Sequence, residues 1–445
     1  MSGRVGVLHH PVSHSPVDIL QGIGGSAEVV WLVVDGEDGG RVPRRLLEHM
    51  GDVIDLRNDD PDAAAAALSQ AGVEGIVTFR DEQLRFAAQL AELLGLPFLS
   101  PAVAARLRNK YLQRQALRAG NVAQPDFWHL PNGLNGSQLD RVAAAVRYPA
   151  MVKPVEGAGS QGVTRVDSPA QLLAAYRADV EQLAEKYMPD TESRDQRFGS
   201  YVAVESVVSQ GVISHLAVIG NGQLADGFRE TISFLPAALE APQREAVLDL
   251  ATAALTVLKV KDSVTHTEVK LSPEGPKIIE VNGRAGGASA ALLGLAAQFS
   301  LFRVAAEVAL GLPQHFDAPA PTGGVGFWWD CNPPLGATRV LRLSGVAQLA
   351  GHPDISRVVI NAREGQTVDP LAGTFGVVTL LGHTECHDDL ITLSELIERT
   401  ISIDYEFNPA LMPTRTAGRV SAVAGRKRRR SHHDHTRPQT PVRYS

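Results

Sequence analysis

The chain has 445 residues, 44% of them hydrophobic, so it can bury two or three cores, and its length suggests about three domains. The last 20 residues, from Arg426 onward, carry a net charge of +6, which leaves −13 on the acidic remainder and argues against nucleic acid as the main ligand. No run approaches the roughly 18 apolar residues of a membrane span, and the N-terminus lacks a signal peptide's apolar region. Because two cysteines are too few for a disulfide framework, we expect a cytoplasmic protein.

The first hundred residues alternate between strand and helix patterns. We predict strands at Arg4–Leu8, Val29–Val34, Val53–Leu56 and Gly75–Phe79, with helices near Arg44–Met50, Asp62–Ala71 and Glu82–Leu94. This order predicts an open parallel sheet. A dinucleotide site would need Gly-x-Gly-x-x-Gly after the first strand, but residues 9–14 read His-His-Pro-Val-Ser-His. We therefore expect a scaffold that flanks the active site, with histidines that are polar loop residues rather than ligands.

A single helix is predicted between Ser100 and Gly120. Ser100 is a typical N-cap, Pro101 suits the first helical position, and Gly120 is a typical stop. Lys110 would lie inside this helix. By composition alone, Lys110 is better explained as a solvated lysine than as a ligand-binding one.

A glycine-rich loop, Glu156-Gly-Ala-Gly-Ser-Gln-Gly162, follows a buried strand that ends at Lys153 and precedes a strand at Val163–Val166. Such a loop lets backbone N–H groups converge on an anion, and Lys153 would add a positive charge for the same phosphates. The loop is not a Walker A motif, because no Gly-Lys-Ser/Thr follows it. A plain hairpin turn is the alternative.

Two short strands, His266–Leu271 and Lys277–Asn282, are predicted to form a hairpin. Pro276 has no N–H to donate to a ladder, so we assign it to the connecting loop. Counting outward from that loop gives the cross-strand pairs Leu271–Lys277, Lys270–Ile278, Val269–Ile279 and Glu268–Glu280. One face of the hairpin would then be a core face of Val269, Leu271, Ile279 and Val281.

The facing carboxylates of Glu268 and Glu280 have a chemical consequence. Like charges directly opposed on one face repel each other, and a divalent cation between them removes that repulsion. Strand alternation puts Asn282 and Arg284 on the same side as Glu280. Oxygen ligands from Glu268, Glu280 and Asn282 suit Mg²⁺ or Mn²⁺, and Mg²⁺ typically arrives with nucleotide phosphates. The alternative is an exposed hairpin with ordinary surface charges.

Other segments carry weaker signals. The end of a strand at Glu185-Lys-Tyr-Met188 could pair with a purine edge, and Glu205 lies in a β-prone run. The run His383-Thr-Glu-Cys-His387 is metal-like, but alternating side chains of a strand face opposite ways, so a structural or solvent-exposed role is favoured. Asp330-Cys-Asn-Pro-Pro334 is predicted to be a turn. The basic tail is predicted to be disordered, with RNA or metal binding as the alternative.

In this order, these motifs resemble the ATP-grasp superfamily over most of residues 100–290. The specific part is Glu268 followed by Glu280-Val-Asn-Gly-Arg284. Within the superfamily, the chain is similar to bacterial L-amino-acid ligases of the bacilysin-synthetase type and to carnosine synthases. Residues 227–236 resemble their acceptor-side segment, and residues 323–405 resemble their C-terminal domain. The chain departs from the family at Asn109, where Asp is common, and in a charged insertion at residues 189–199.

The resemblance implies an α/β (α+β) fold with ATP-grasp architecture. It would comprise an N-terminal Rossmann-like parallel domain at 1–101 and a two-lobed ATP-grasp domain at 102–312. A small α+β domain of the amino-acid-ligase type would follow at 313–417, and a disordered basic tail at 418–445.

The resemblance also implies a role for each candidate residue. Lys110 and Lys153 would bind the ATP phosphates. The covering loop would contribute Gly157, Gly159, Ser160, Gln161 and Gly162, and the rest of the nucleotide site would comprise Glu185, Tyr187, Met188 and Glu205. Two Mg²⁺ or Mn²⁺ ions would be held by Glu268, Glu280 and Asn282. Arg284, with Lys153, would be catalytic and would hold the acyl phosphate or the substrate carboxylate.

The implied activity is an ATP-dependent, ADP-forming ligation. A carboxylate, expected to be that of an amino acid, would be activated as an acyl phosphate and joined to an amine, which gives a dipeptide or an amide. The partners would be these small molecules, with no nucleic acid or membrane, and a homodimer is left open. The alternatives are an ATP-grasp carboxylase, a purine-pathway ligase, or a nucleotide-binding regulatory protein without chemistry.

Overall fold

The computed structural model describes residues 3–10, 14–34, 44–56, 60–191, 198–312 and 315–408, and the backbone of 443–444. The predicted tail at 418–445 therefore lies outside the described residues, except for that backbone pair. Residues 192–197 of the predicted charged insertion also lie outside them.

The N-terminal sheet is parallel and four-stranded, as predicted. Its order is β3-β2-β1-β4, with strands β1 (Arg4–His9), β2 (Glu28–Val33), β3 (Asp52–Asp55) and β4 (Gly75–Thr78). The helices are α1 (Pro16–Ile23), which the sequence analysis missed, α2 (Arg44–Met50), α3 (Pro61–Gln70) and α4 (Leu84–Leu94). The chain reverses its direction of winding between β1 and β4. The loops after these two strands therefore form a crevice, which is where such sheets usually bind ligands.

Two helices, rather than the single predicted one, occupy residues 101–119. They are α5 (Pro101–Arg108) and α6 (Lys110–Ala119), separated by Asn109 in an extended conformation. Asn109 Oδ1 accepts a hydrogen bond from the backbone N–H of Leu112 at 3.0 Å. The one-helix prediction is wrong because a short amide side chain competes for backbone N–H groups and stabilises an N-cap better than a helix interior. Lys110 is consequently the first residue of α6.

The glycine-rich loop belongs to a small antiparallel sheet. The order is β5-β8-β6-β7, with strands β5 (Phe127–Leu130), β6 (Ala150–Pro154), β7 (Thr164–Val166) and β8 (Gln182–Lys186). Its helices are α7 (Gly136–Ala145) and α8 (Pro169–Ala175). Strands β6 and β7 confirm the strands predicted on either side of the loop.

An eight-stranded sheet forms the centre of the molecule, in the order β13-β12-β9-β10-β11-β14-β17-β16. Its strands are β9 (Phe198–Ser209), β10 (Val212–Gly222), β11 (Ile232–Leu235), β12 (Ser263–Ser272), β13 (Gly275–Asn282), β14 (Val325–Cys331), β16 (Ile355–Ile360) and β17 (Val378–Thr384). The sheet contains strands from both sides of the boundary predicted at residue 312. The predicted turn at 330–334 is wrong in part, since Asp330 and Cys331 belong to β14.

Helices cover both faces of this central sheet. α9 (Ala241–Leu258) packs with α5 and α6 on one face, and α10 (Ser289–Ala297) and α11 (Leu301–Ala309) lie between the other face and the N-terminal sheet. Among the described residues, no single helix is long and apolar enough to cross a membrane. α10 and α11 together have the length and composition, but they meet at a bend of 116°.

The C-terminal part adds a second small sheet beside the central one. It contains β15 (Ala337–Ser344), β18 (Ser402–Phe407) and the backbone pair β19 (Arg443–Tyr444), in the order β15-β18-β19. Helices α12 (Val346–Leu349) and α13 (His387–Thr400) complete it. Its apolar side chains join those of β11, β14 and β17 in one core.

The cap at Asn109 should stabilise α6. Asn109→Ala removes the acceptor for the Leu112 N–H and is expected to lower the free energy of unfolding by about 1 kcal/mol. Asn109→Asp keeps an acceptor and should retain wild-type stability. Urea unfolding of the three proteins checks this. Equal stability of the alanine variant would show that the cap contributes nothing.

Candidate active site

The register of the β12–β13 hairpin places Glu268 directly opposite Glu280, as predicted. The register between the turn and that pair differs from the prediction. The turn is tighter, because Ser272 pairs with Gly275 and Pro276 lies within β13, so the assignment of Pro276 to the loop is wrong. The next pairs are each displaced by one residue and are Leu271–Pro276, Lys270–Lys277 and Val269–Ile278.

A β-bulge at Ile279 restores the register. Val269 pairs with Ile278 and Glu268 pairs with Glu280, so Ile279 has no partner residue on β12. Ile278 and Val281 are both fully buried, although residues three apart on a regular strand would face opposite sides. The core position predicted for Ile279 is therefore occupied by Ile278. In a regular ladder, Ile279 would face Glu268, and Glu280 would point to the opposite side. The bulge therefore puts both carboxylates on one face.

Side chains of α6 bind the free edge of β13. The Gln113 amide donates to Val281 O and accepts from Val281 N–H, both at 2.9 Å. The guanidinium of Arg114 donates to Ile278 O at 3.1 Å and to Ile279 O at 2.6 Å. Both side chains are only 2% exposed. Helix α6 thus satisfies the backbone groups that an edge strand and a bulge leave without ladder partners.

Lys110 connects the carboxylate pair to the glycine-rich loop. Its Nζ lies 2.8 Å from Glu280 Oε1 and donates to Gly157 O at 3.0 Å. With 11% of its side chain exposed, Lys110 is not the solvated lysine that composition alone favoured. One cation therefore lies between a candidate metal ligand and the candidate phosphate loop.

The residues present fit a divalent cation. Burial, and then the charge of Glu280, raise the pKa of the Glu268 carboxyl to about 7, so its charge is poorly compensated by the protein itself. The side-chain amide of Asn282, two residues beyond Glu280, makes no hydrogen bond within the described residues. Across those residues, no group of three or more His, Cys, Asp or Glu is arranged to hold a metal. The candidate set remains two carboxylates and one amide, which are oxygen donors of the kind Mg²⁺ prefers.

Lys153 and Glu185 are joined in a buried ion cluster with Arg114. The two oxygens of Glu185 lie 2.7 Å from Lys153 Nζ and 2.7 Å from Arg114 Nε. Burial alone would raise the pKa of Glu185, but the charges of Arg114 and Lys153 lower it to about 2. Burial also lowers the pKa of Lys153. The ionised Glu185 carboxylate orients the Lys153 side chain through this ion pair. The roles predicted for Glu185, Tyr187 and Met188 toward adenine stay predictions.

Glu205 lies one row away from the carboxylate pair. It is fully buried on β9, where it is paired in register with His266, and His266 is in turn paired with Asn282. Its carboxylate accepts a hydrogen bond from Ser289 Oγ at 2.6 Å and contacts His266 Nδ1. The structure thus brings Glu205 next to the predicted metal ligands, and its role toward the nucleotide stays a prediction.

The glycine-rich loop packs against the C-terminal part of the chain. Gly157, Gly159, Ser160 and Gly162 all have positive φ, at 156°, 60°, 62° and 68°. Ser160 Oγ donates to Phe228 O at 2.8 Å, and the side chain of Gln161 donates to Ala372 O. Gly373 approaches so closely that a Cβ there would lie 2.6 Å from Gly159 O. The loop thus adjoins the segments at 228–230 and 372–374.

A cavity of about 910 Å³ adjoins this site. Arg284 lies at its wall, and its guanidinium is held by Asp81 through Nε at 2.9 Å and Nη2 at 2.5 Å. His14, in the loop between β1 and α1, also lines the cavity and makes edge contacts with Phe79 and Phe302. Burial lowers the pKa of His14 to about 4. These N-terminal residues follow β1 and β4, the two strands that flank the crevice.

Two carboxylates, those of Asp330 and Glu230, also line the cavity. Asp330 accepts hydrogen bonds from Trp328 Nε1 at 2.8 Å and Thr379 Oγ1 at 2.6 Å, and it lies close enough to Glu230 for their charges to interact. Burial raises the pKa of Asp330 to about 6. Neither carboxylate forms an ion pair within the part of the chain that the structure describes. The cavity is therefore lined by both carboxylates and guanidinium groups.

Several of these residues were missed from sequence. Asp81 and His14 follow the strands that flank the winding reversal, so the rule for ligand sites in open parallel sheets could have found them. Asp330 was obscured by the prolines that follow it. Gln113 and Arg114 gave no local signal, because their partners are backbone groups about 165 residues away. His383 Nε2–H donates to Gly323 O at 2.6 Å, and His387 Nε2–H donates to Pro236 O at 2.9 Å, so these two histidines bind different backbone carbonyls.

Comparisons with known proteins bear on this site. Residues 146–291 match the model of the ATP-grasp domain. Carnosine synthase 1 of Gallus gallus is 28% identical over 273 residues, which is 56% of this chain but only 27% of that protein. An L-amino acid ligase from Bacillus licheniformis has a TM-score of 0.72 at 21% identity, covering 91% of this chain and 99% of the other. The biotin carboxylase domain of a 2-oxoglutarate carboxylase from Hydrogenobacter thermophilus, in complex with MgADP and bicarbonate, has a TM-score of 0.66 at 15% identity, covering 90% of each chain. At these identities, the two structural likenesses establish the fold alone.

The buried carboxyl of Asp330 should make stability depend on pH. Its pKa of about 6 in the folded protein exceeds the ordinary value of 3.8, so its stabilising contribution is fully present below pH 3.8 and is lost as the pH rises through 6. Asp330→Asn, which mimics the neutral form, should raise the free energy of unfolding at pH 8 by the order of 1 kcal/mol and change it little below pH 4. Urea unfolding, with Asp140→Asn at an exposed position as control, measures both. An equal gain at both pH values would contradict this assignment.

Proposed function

We propose that this protein is an ATP-dependent, ADP-forming carboxylate–amine ligase that forms a dipeptide or an amino-acid amide, because residues 146–291 match the model of the ATP-grasp domain. The observation that carries the proposal is the pairing of Glu268 with Glu280 on one face, beside Lys110 and the glycine-rich loop. The adjoining cavity with Arg284 provides room for the two substrates.

The chemistry requires activation of the carboxylate. A carboxylate oxygen is a poor leaving group, but phosphoryl transfer from ATP gives an acyl phosphate that an amine can attack. Such a transfer depends mainly on positioning and charge neutralisation. Glu268, Glu280 and Asn282 would hold Mg²⁺, which neutralises charge on the phosphates when bound. Lys110 and Lys153 would exchange their present carboxylate partners for phosphate oxygens.

Arg284 is oriented for an oxyanion in the cavity. A guanidinium has five N–H groups, and Asp81 and the carbonyl of Ala285 use three of those on Arg284. One N–H on each terminal nitrogen then remains for the substrate carboxylate or its acyl phosphate. Asp81 would keep the guanidinium from turning away during the reaction.

The carboxylates that line the same cavity support an amine as the second substrate. Glu230 and Asp330 line it without a cationic partner among the described residues. An ammonium group would compensate these charges and pass a proton to one of these carboxylates, and the free amine would then attack the acyl carbon and expel phosphate. Free thiols at Cys331 and Cys386 accord with a cytoplasmic location.

A carboxylase is the second candidate, because the biotin carboxylase domain has the same fold. Bicarbonate would then be the carboxylate that is activated. ADP release that needs bicarbonate but no amine would favour this candidate over the ligase.

The nucleotide product tests the proposed function. A screen of amino-acid pairs for phosphate release, with mass spectrometry of the products, should find a pair that gives stoichiometric ADP, phosphate and a condensed product. This follows because acyl phosphate formation breaks the bond to the γ-phosphate. AMP and pyrophosphate as the stoichiometric products would mean adenylation and a different class of enzyme.

Glu280 should be essential for turnover but not for folding. Glu280→Gln is expected to abolish ligation and ADP formation at saturating Mg²⁺. Stability should change by less than about 1 kcal/mol, since the change removes both the repulsion from Glu268 and the pair with Lys110. Glu274→Gln, at the exposed turn of the same hairpin, is the matched control and should retain activity. Near-wild-type turnover of Glu280→Gln would refute the assignment.

Arg284 should act on the substrate carboxylate rather than on ATP. Lysine cannot reproduce the parallel hydrogen bonds of a guanidinium, so Arg284→Lys should lower kcat/KM for the carboxylate roughly 100-fold, while ATP affinity stays nearly unchanged. Steady-state kinetics and nucleotide titration measure the two quantities, with Arg303→Lys on the exposed side of α11 as control. Loss of ATP binding with normal carboxylate kinetics would place Arg284 in the nucleotide site instead.

A further inference from the structure

The position of Glu280 depends on an irregularity of an edge strand. β13 is the outermost strand of the central sheet, so β12 supports it on one side only. The bulge at Ile279 interrupts even that ladder immediately before Glu280. A bulge leaves its extra residue unpaired, and an isolated edge strand can exchange its register by one residue. Such a slip would turn the Glu280 carboxylate away from Glu268.

Helix α6 supplies the missing partners on the outer edge. Arg114 bonds the carbonyls of Ile278 and Ile279, which are the bulge residues, and Gln113 bonds both backbone groups of Val281. The backbone N–H of Ile278 donates to Ala123 O at 2.9 Å, just beyond the C-terminal end of α6. These contacts extend along the strand from the bulge to the residue between Glu280 and Asn282.

We propose that Arg114 and Gln113 are positioning residues for the metal site, which hold the Ile279 bulge and thereby keep Glu280 and Asn282 in place. This inference rests on the proposed function, because it assumes that those residues bind a divalent cation. The side chains of Gln113 and Arg114 bond to the backbone of β13 and to Glu185 rather than to Glu280 or Asn282. Both act through the backbone of β13.

The chemistry of arginine suits this role. Its planar guanidinium presents several N–H groups at fixed angles, so one side chain reaches two successive carbonyls and Glu185 at once. Lysine, with one ammonium nitrogen, cannot contact all three. Glu185 compensates the buried charge and fixes the plane of the guanidinium.

The same carboxylate complicates the test, because Glu185 also binds Lys153. A change at Arg114 that released Glu185 could disturb Lys153 and so the nucleotide site. Arg114→Lys is therefore the variant of choice. It keeps a positive charge beside Glu185 and removes only the paired N–H groups that reach the carbonyls of Ile278 and Ile279. Glu185→Gln is its counterpart, because it weakens the contact to Lys153 but keeps an amide oxygen that can accept from Arg114 Nε and hold the plane of the guanidinium.

Binding measurements on the full-length protein separate these effects. Mn²⁺ affinity in the presence of ADP is measured by electron paramagnetic resonance, and ADP affinity in EDTA is measured by calorimetry. Arg114→Lys should weaken Mn²⁺ binding by about 10-fold or more, as is typical when a ligand loses its support, and should change ADP affinity in EDTA less than about threefold. Glu185→Gln should instead weaken ADP binding in EDTA by more than it weakens Mn²⁺ binding. Arg106→Lys, which alters a side-chain bond to Leu258 O on the neighbouring helix, controls for general loss of stability.

Each outcome is decisive. Unchanged Mn²⁺ affinity in Arg114→Lys, or an equal loss of ADP affinity in EDTA, would overturn the inference. If that variant fails to fold, Gln113→Met takes its place, because it removes only the two bonds to Val281, and unchanged Mn²⁺ affinity there would also overturn it. Wild-type protein that binds no Mn²⁺ with ADP would instead refute the proposed metal site itself.

Discussion

In our account, the rest of the site depends on the contact between Arg114 and the bulge at Ile279. Side chains alternate along a strand, so one additional residue decides which face Glu280 occupies. Arg114 is 2% exposed and satisfies the carbonyls of Ile278 and Ile279 together. Burying a guanidinium is unfavourable unless it is paired and fully hydrogen-bonded, and Glu185 with these carbonyls meets that condition. The local structure, the charge distribution and the proposed metal site are therefore linked through one side chain.

Both lysines of the candidate site have a carboxylate partner. Lys110 is paired with Glu280, and Lys153 with Glu185. A buried lysine without a partner would lose its proton, which would make it useless for phosphate binding. In our account, nucleotide and metal arrive together. Phosphates then replace the carboxylates as partners of the lysines, and the metal replaces Lys110 as the partner of Glu280.

The sequence predicted the general architecture well, because it depends on local patterns. The parallel N-terminal sheet follows from alternating apolar segments, and the strands around the glycine-rich loop follow from their β-branched residues. The facing of Glu268 and Glu280 was also correct, but through two errors that cancel. Pro276 was left out of β13, which displaced the count by one, and the unforeseen bulge at Ile279 displaced it back.

The remaining features depend on contacts between distant parts of the chain. Asn109 ends α5 and is the N-cap of α6. Its sequence context alone does not reveal this role, because the segment reads as one continuous helix. The support of β13 by Gln113 and Arg114 joins a helix to backbone groups about 165 residues further along, and backbone groups carry no sequence signature. Asp81 meets Arg284 across 203 positions, although the order of the parallel strands indicates that region.

The central claim is that Arg114 acts on metal binding through Glu280, and a double-mutant cycle tests it most directly. Mn²⁺ affinity with ADP bound would be measured for wild type, Arg114→Lys, Glu280→Gln and the double variant. If Arg114 acts only by placing Glu280, then Arg114→Lys should weaken binding about 10-fold in the wild-type background and cause little further loss once Glu280 is replaced. Equal losses in both backgrounds would show that the two residues act independently, and would contradict the account.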